Sequence, residues 1–197
     1  RNVYANGKVW DGNTGVTSLF SDKGNYSKSE MPRENMYSCV IKLSYGAFDY
    51  YTGGDIPGFP RPGRPKWHDI ETPVSEVAVL NHHGNEDGTN ENFLRNLSPQ
   101  NVIMSTWDAL HPNHTVLYRL FSKEIYPEER KIFSTNMHPA TKIVIGDLVD
   151  RMASYQGHIM VRVYPGGNKY RMYVFDDAVP ISESHVIYES DLFECVK

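Results

Sequence analysis

With 197 residues the chain has room for one large domain or two small ones, so length alone does not force a partner. A hydrophobic fraction of 40% that includes 13 Tyr, 8 Phe and 3 Trp excludes a disordered or fibrous protein. A net charge of -4, without any run of Lys or Arg, excludes a strong nucleic-acid or membrane-surface footprint, and two cysteines, Cys39 and Cys195, are too few for a disulfide framework.

Residues 1–36 are rich in Gly, Asn, Ser and Asp, and are expected to form an irregular segment of loops with at most one short strand. From residue 37 to 197 the pattern becomes that of an α/β (α+β) domain. Tyr-Ser-Cys-Val-Ile-Lys-Leu-Ser from Tyr37 and Ala47 to Tyr51 are two β-rich runs joined by a tight turn at Gly46, which predicts a hairpin. Thr52-Gly53-Gly54-Asp55 ends it. The following stretch carries Pro57, Pro60, Pro62 and Pro65, which forbid regular structure.

Val77 to Leu80 is wholly apolar and stops abruptly at Asn81-His82-His83-Gly84, as a buried strand does where it opens into a polar loop. Helical spacing follows at Phe93, Leu94 and Leu97, then a strand from Asn101 to Ser105. A helix is expected over Thr115–Phe121 and a strand over Lys131–Ser134. Residues 143–152 read as mixed. Alternation over His158–Tyr164 and Lys169–Phe175, around Pro165-Gly166-Gly167-Asn168, predicts a second hairpin. No apolar stretch approaches the roughly 20 residues that a membrane helix needs, so the chain reads as soluble, with its compartment open.

Two loop motifs can carry chemistry: Asp55 after two glycines, and the pair His82-His83. A carboxylate with imidazoles is the donor set that suits Zn, Mn or Fe, and glycines beside it permit close backbone approach. A purely structural reading stands beside this one, with Asp55 capping a turn and the histidines in a solvated loop. On an extended backbone the two imidazoles would point in opposite directions, so only one of them is expected to be a ligand.

Taken together, the ordered set S-x-V-x-x-L-x-Y-G-x-F, T-G-G-D, V-A-V-L-N-H-H-G and His111-Pro112 before a helix resembles the second half of metallo-β-lactamase-superfamily hydrolases. The likeness covers roughly residues 35 to 122. It is nearest to the branch that holds the hydrolase domain of DNA-uptake competence channel proteins and the phosphorylcholine esterases. This resemblance implies an αββα sandwich of which the chain forms the C-terminal half or more. It also implies two divalent metal ions at one edge, Zn with Mn or Fe as alternatives, Asp55 as the bridging carboxylate, a ligand from His82 or His83, and His111 near the phosphate or leaving group. The expected function is metal-dependent hydrolysis of a phosphoester by a metal-activated water.

The chain departs from that family where it lacks the H-x-H-x-D-H motif: its histidines are 68, 82, 83, 111, 114, 138, 158 and 185, and none has that spacing. The rest of the metal shell is therefore expected from an N-terminal half of the same protein, and the chain is expected to be a fragment, because a half-sandwich would expose a large apolar sheet face. Two alternatives remain open: a metal-free binding or scaffold module that keeps the fold, and a subunit that completes its site with another chain. His68, beside Trp67 and Asp69, and His158 are secondary candidates to line the site; His114, His138 and His185 read as surface.

Overall fold

The computed structural model describes residues 1–11, 13–18, 34–57 and 74–196. His68 and the proline-rich stretch from residue 58 on lie outside the described residues.

The chain opens with three short strands, β1 (Asn2–Ala5), β2 (Lys8–Trp10) and β3 (Val16–Ser18). Where loops with at most one strand were expected, a small antiparallel meander stands. Its cause is local: Asn6 and Gly7 take φ of 50° and 77°, the left-handed pair that closes a two-residue hairpin between β1 and β2. After a 3-10 turn at Glu34–Tyr37 come the predicted hairpin strands β4 (Cys39–Tyr45) and β5 (Phe48–Thr52). β6 (Val77–Val79), helix α1 (Glu91–Leu97), β7 (Asn101–Met104), helix α2 (His114–Phe121) and β8 (Lys131–Ser134) follow. The mixed stretch resolves into helix α3 (Pro139–Ile145) and a 3-10 segment at Gly146–Arg151. The tail supplies β9 (His158–Val163), β10 (Lys169–Phe175), β11 (Val186–Glu189) and β12 (Phe193–Glu194).

β1 to β8 form one eight-stranded sheet in the order β3-β2-β1-β4-β5-β6-β7-β8. The β3-to-β5 half is antiparallel, and β5, β6, β7 and β8 run parallel. β9 to β12 form a second, antiparallel sheet around β10. This is a mixed α/β architecture with a large sheet and few helices. Its register explains the layering. Tyr51, Ala78, Val102 and Ile132 are successive cross-strand partners and share one face, which the helices cover: Leu94 of α1, Val116, Leu117 and Leu120 of α2 and Ile145 of α3 pack over Val102 and Ile132. The opposite face presents Phe48, Val77, Ile103 and Phe133 to Tyr170, Met172 and Val174 of β10. Both faces of β6 to β8 are thereby dry, which is why those strands read as unbroken apolar runs.

The second sheet does not reach across the whole of the first. Leu43 and Tyr45 are the register partners of Tyr50 and Phe48 and so lie on the face that β10 covers further along, yet they are 54% and 51% exposed, and Ile41 is 40% exposed. A one-strand apolar stripe therefore faces solvent among the described residues.

Candidate metal and substrate site

Each predicted site residue follows the C-terminal end of one of the parallel strands. Asp55 comes after β5, His82 and His83 after β6, and His111 after β7. Parallel strands bring those ends to one sheet edge, the place where open α/β sheets bind ligands. A backbone hydrogen bond from His82 N–H to the Gly54 carbonyl, 2.9 Å, stitches the first two loops together. Gly53 makes that approach possible, because a Cβ there would sit 2.1 Å from Asn81 Oδ1.

The His pair is not on extended backbone. His82 and His83 take φ/ψ of 49°/46° and 57°/22°, two consecutive left-handed residues inside a 3-10 turn at Asn81–Gly84. For residues with a Cβ this is a sparsely occupied region, costing on the order of 1 to 3 kcal/mol each, and such strain collects at functional sites. The expectation that the two rings diverge is corrected: their centroids lie 6.1 Å apart, and His111 stands 6.3 Å from His82 and 5.0 Å from His83, so the three imidazoles form one cluster.

Hydrogen bonds set the tautomers. His83 Nδ1 is 2.9 Å from the Ser105 carbonyl oxygen, which can only accept, so Nδ1 carries a proton. His83 Nε2 faces Asp55 Oδ1 at 3.1 Å. An imidazole nitrogen and a carboxylate oxygen at that distance are a donor pair that a cation between them would favour. His82 Nδ1 is 2.7 Å from Asp87 Oδ1, which again places a proton on Nδ1. Asp87 and the Ser105 carbonyl do for these rings what carboxylates and carbonyls do behind metal-bound histidines. His111 Nδ1 is buried without a hydrogen-bond partner among the described residues, and burial, followed by the neighbouring His83, holds the His111 pKa below its ordinary value.

These donors fit a metal ion in part. Bonds of about 2.0–2.1 Å at tetrahedral or octahedral angles set neighbouring ligand atoms roughly 2.9–3.4 Å apart, and the 3.1 Å between His83 Nε2 and Asp55 Oδ1 falls in that range. Among the described residues no group of three or more His, Cys, Asp or Glu side chains is arranged to hold a metal. What the chain brings together is one imidazole nitrogen and one carboxylate oxygen at that 3.1 Å separation, with the His82 ring centroid 6.1 Å from that of His83.

Asp87 and Trp107 escaped the sequence reading. Asp87 sits within Asn-Glu-Asp-Gly, which reads as an ordinary turn, and Trp107 is a lone aromatic between a strand and His111. His158 opens β9, exposed, and His138 caps α3, its Nδ1 accepting from Ala140 N–H at 3.2 Å. No helix among the described residues is long and apolar enough to cross a membrane. A scan against protein-family models and a search of curated proteins both return no match to this chain.

Proposed function

We propose that this chain is part of a metal-dependent hydrolase of the metallo-β-lactamase type, acting on a phosphoester, with Asp55 and His83 as ligands and His82 and His111 lining the reaction site. The observation that carries the reading is the His83–Asp55 contact: Nδ1 is committed to a carbonyl, Nε2 meets a carboxylate at 3.1 Å, and the pair has the spacing of two ligands on one ion. The gathering of all four residues at the C-terminal edge of parallel strands supports it, and so does the layering of helices on a mixed sheet on a second sheet, which is compatible with three layers of an αββα sandwich.

A bound divalent ion, Zn, Mn or Fe, would acidify a water and neutralise charge on the substrate oxygens. The chain's own residues do the rest. Ser105 and Asp87 fix the orientation of His83 and His82, and His111, kept neutral, offers a hydrogen bond to a phosphate oxygen or leaving group. The phosphoester as substrate class, and a second ion bridged by Asp55, rest on the resemblance of the motifs. The rest of the shell that the resemblance implies is not found among the described residues.

A metal-free module makes a different use of the same contact, with a proton between His83 and Asp55 as a plain ion pair. Calorimetric titration with Zn or Mn separates the two. Binding of one ion per chain, abolished in Asp55→Ala and in His83→Ala and weakened in His82→Ala, is the expected result. Metal uptake that survives both Asp55→Ala and His83→Ala refutes these two ligands, and a wild-type chain that takes up no metal refutes a site carried by these residues alone and leaves the ion pair of the binding module.

A further inference from the structure

The loop between β7 and α2 holds a large aromatic side chain that stands mostly in solvent. Trp107 is 58% exposed and Leu110, on the same loop, is 76% exposed. An indole on a loose loop would mean little, but this loop is pinned along its length. Thr106 N–H donates to Thr135 Oγ1 at 3.0 Å, Leu110 N–H to Asp108 Oδ1 at 2.9 Å, His111 N–H to the Asp108 carbonyl at 3.1 Å, and Thr141 Oγ1–H of α3 to the Ala109 carbonyl at 2.8 Å.

Trp107 is also continuous with the histidine cluster. Its ring centroid is 4.3 Å from that of His83 at an interplanar angle of 74°, and 5.7 Å from that of His111 at 77°. The indole therefore stands upright against two imidazoles, held edge-to-face, with more than half of its surface in solvent. Exposing that much apolar area does nothing for folding. A rigid, exposed tryptophan at the edge of a polar site is what recognises a planar apolar group, since ring stacking needs a preset surface and little further ordering.

We propose that Trp107, flanked by Leu110, is a binding subsite for an aromatic group of the ligand, carried next to the phosphoester at the His83–His111 wall. The inference rests on the reading of the histidine cluster as a phosphoester site and adds the chemistry of the group beside the scissile bond. An aliphatic substituent would meet the indole with dispersion alone, whereas an aryl or nucleobase ring would add stacking. That difference amounts to about 10-fold in affinity.

Phenylphosphonate and methylphosphonate, which carry the same anion and resist hydrolysis, test this. In a Trp10→Phe, Trp67→Phe background Trp107 is the sole tryptophan, so its emission reports on the subsite directly. With zinc present, phenylphosphonate is expected to perturb that emission and to bind about 10-fold more tightly than methylphosphonate. By calorimetry, Trp107→Ala is expected to erase the preference, bringing phenylphosphonate down to the affinity of methylphosphonate in the same variant. Equal binding of the two, or a preference that survives Trp107→Ala, overturns the aromatic subsite and leaves the phosphoester site standing. A Trp107-dependent preference that needs neither zinc nor His83 keeps the subsite and refutes the metal reading. Failure of both phosphonates to bind overturns both.

Discussion

His111 shows how a single residue records its surroundings. Burial disfavours its charged form and the adjacent His83 adds to that, against weaker opposition from Asp108 and Asp55. In the unfolded chain the imidazole titrates near its ordinary value of about 6.5. A folded value below the unfolded one means that, between the two, the unfolded chain binds more protons, so stability rises with pH there. The contribution is whole above pH 6.5 and is lost as pH falls through that value toward the folded one. Thermal melts from pH 7.5 to 5 should therefore show wild-type stability declining below about pH 6.5. His111→Gln, which keeps a hydrogen-bonding side chain without a titrating one, should flatten part of that slope. Parallel slopes in both proteins would mean that His111 is not the group responsible. The residue type was legible in the sequence as His-Pro before a helix; its depressed basicity was not, because it depends on rings that arrive from β6.

Among the elements, the two predicted hairpins turn out to meet each other. The turn between β4 and β5 packs backbone against backbone on the turn between β9 and β10: a Cβ on Gly167 would lie 1.8 Å from the Tyr45 carbonyl oxygen, and one on Gly46 would lie 2.1 Å from the Gly166 carbonyl oxygen. Gly167 and Gly46 also take φ of 70° and 59°. Gly167→Ala should therefore destabilise the chain by at least about 2 kcal/mol in chemical denaturation, combining the strain of a left-handed alanine with a main-chain clash that no side-chain rotation relieves. A change under about 0.5 kcal/mol, typical of a surface site, would show that the two turns separate freely. Alternation and turn residues announced both hairpins, and apolar runs announced β6, β7 and β8. The strands before residue 19 were missed because each is only three or four residues long. Their sole strong signal is Asn6-Gly7, and pairing of β1 with β4 supplies the rest of their order.

On the scale of the molecule, the stripe of Ile41, Leu43 and Tyr45 is an exposed apolar feature among the described residues, where a half-sandwich was expected to bare a whole sheet face. It is narrower than a whole bare sheet, because the second sheet covers β5 to β8. Leu43→Lys is expected to leave the unfolding free energy of this chain within about 0.5 kcal/mol of wild type, since the side chain is already more than half in solvent. The same substitution should raise the concentration at which the chain self-associates, as measured by light scattering, because it breaks a contiguous apolar strip. A large loss of stability would mean that the stripe is packed within the chain.

Composition and periodicity determined on their own that this is a mixed α/β chain with two hairpins and a core of buried strands, since alternation and apolar runs are written locally. The motifs Gly-Gly-Asp, His-His-Gly and His-Pro likewise marked loops that the structure gathers at one sheet edge, because each motif stands directly at the end or the start of an element. Only the tertiary structure decided that the two histidines turn left-handed and face one cluster, that Ser105 and Asp87 set their tautomers, and that Trp107 forms a wall beside them. Those facts depend on which strand ends lie side by side, and that order, β5-β6-β7-β8, is a property of the sheet and of no single segment.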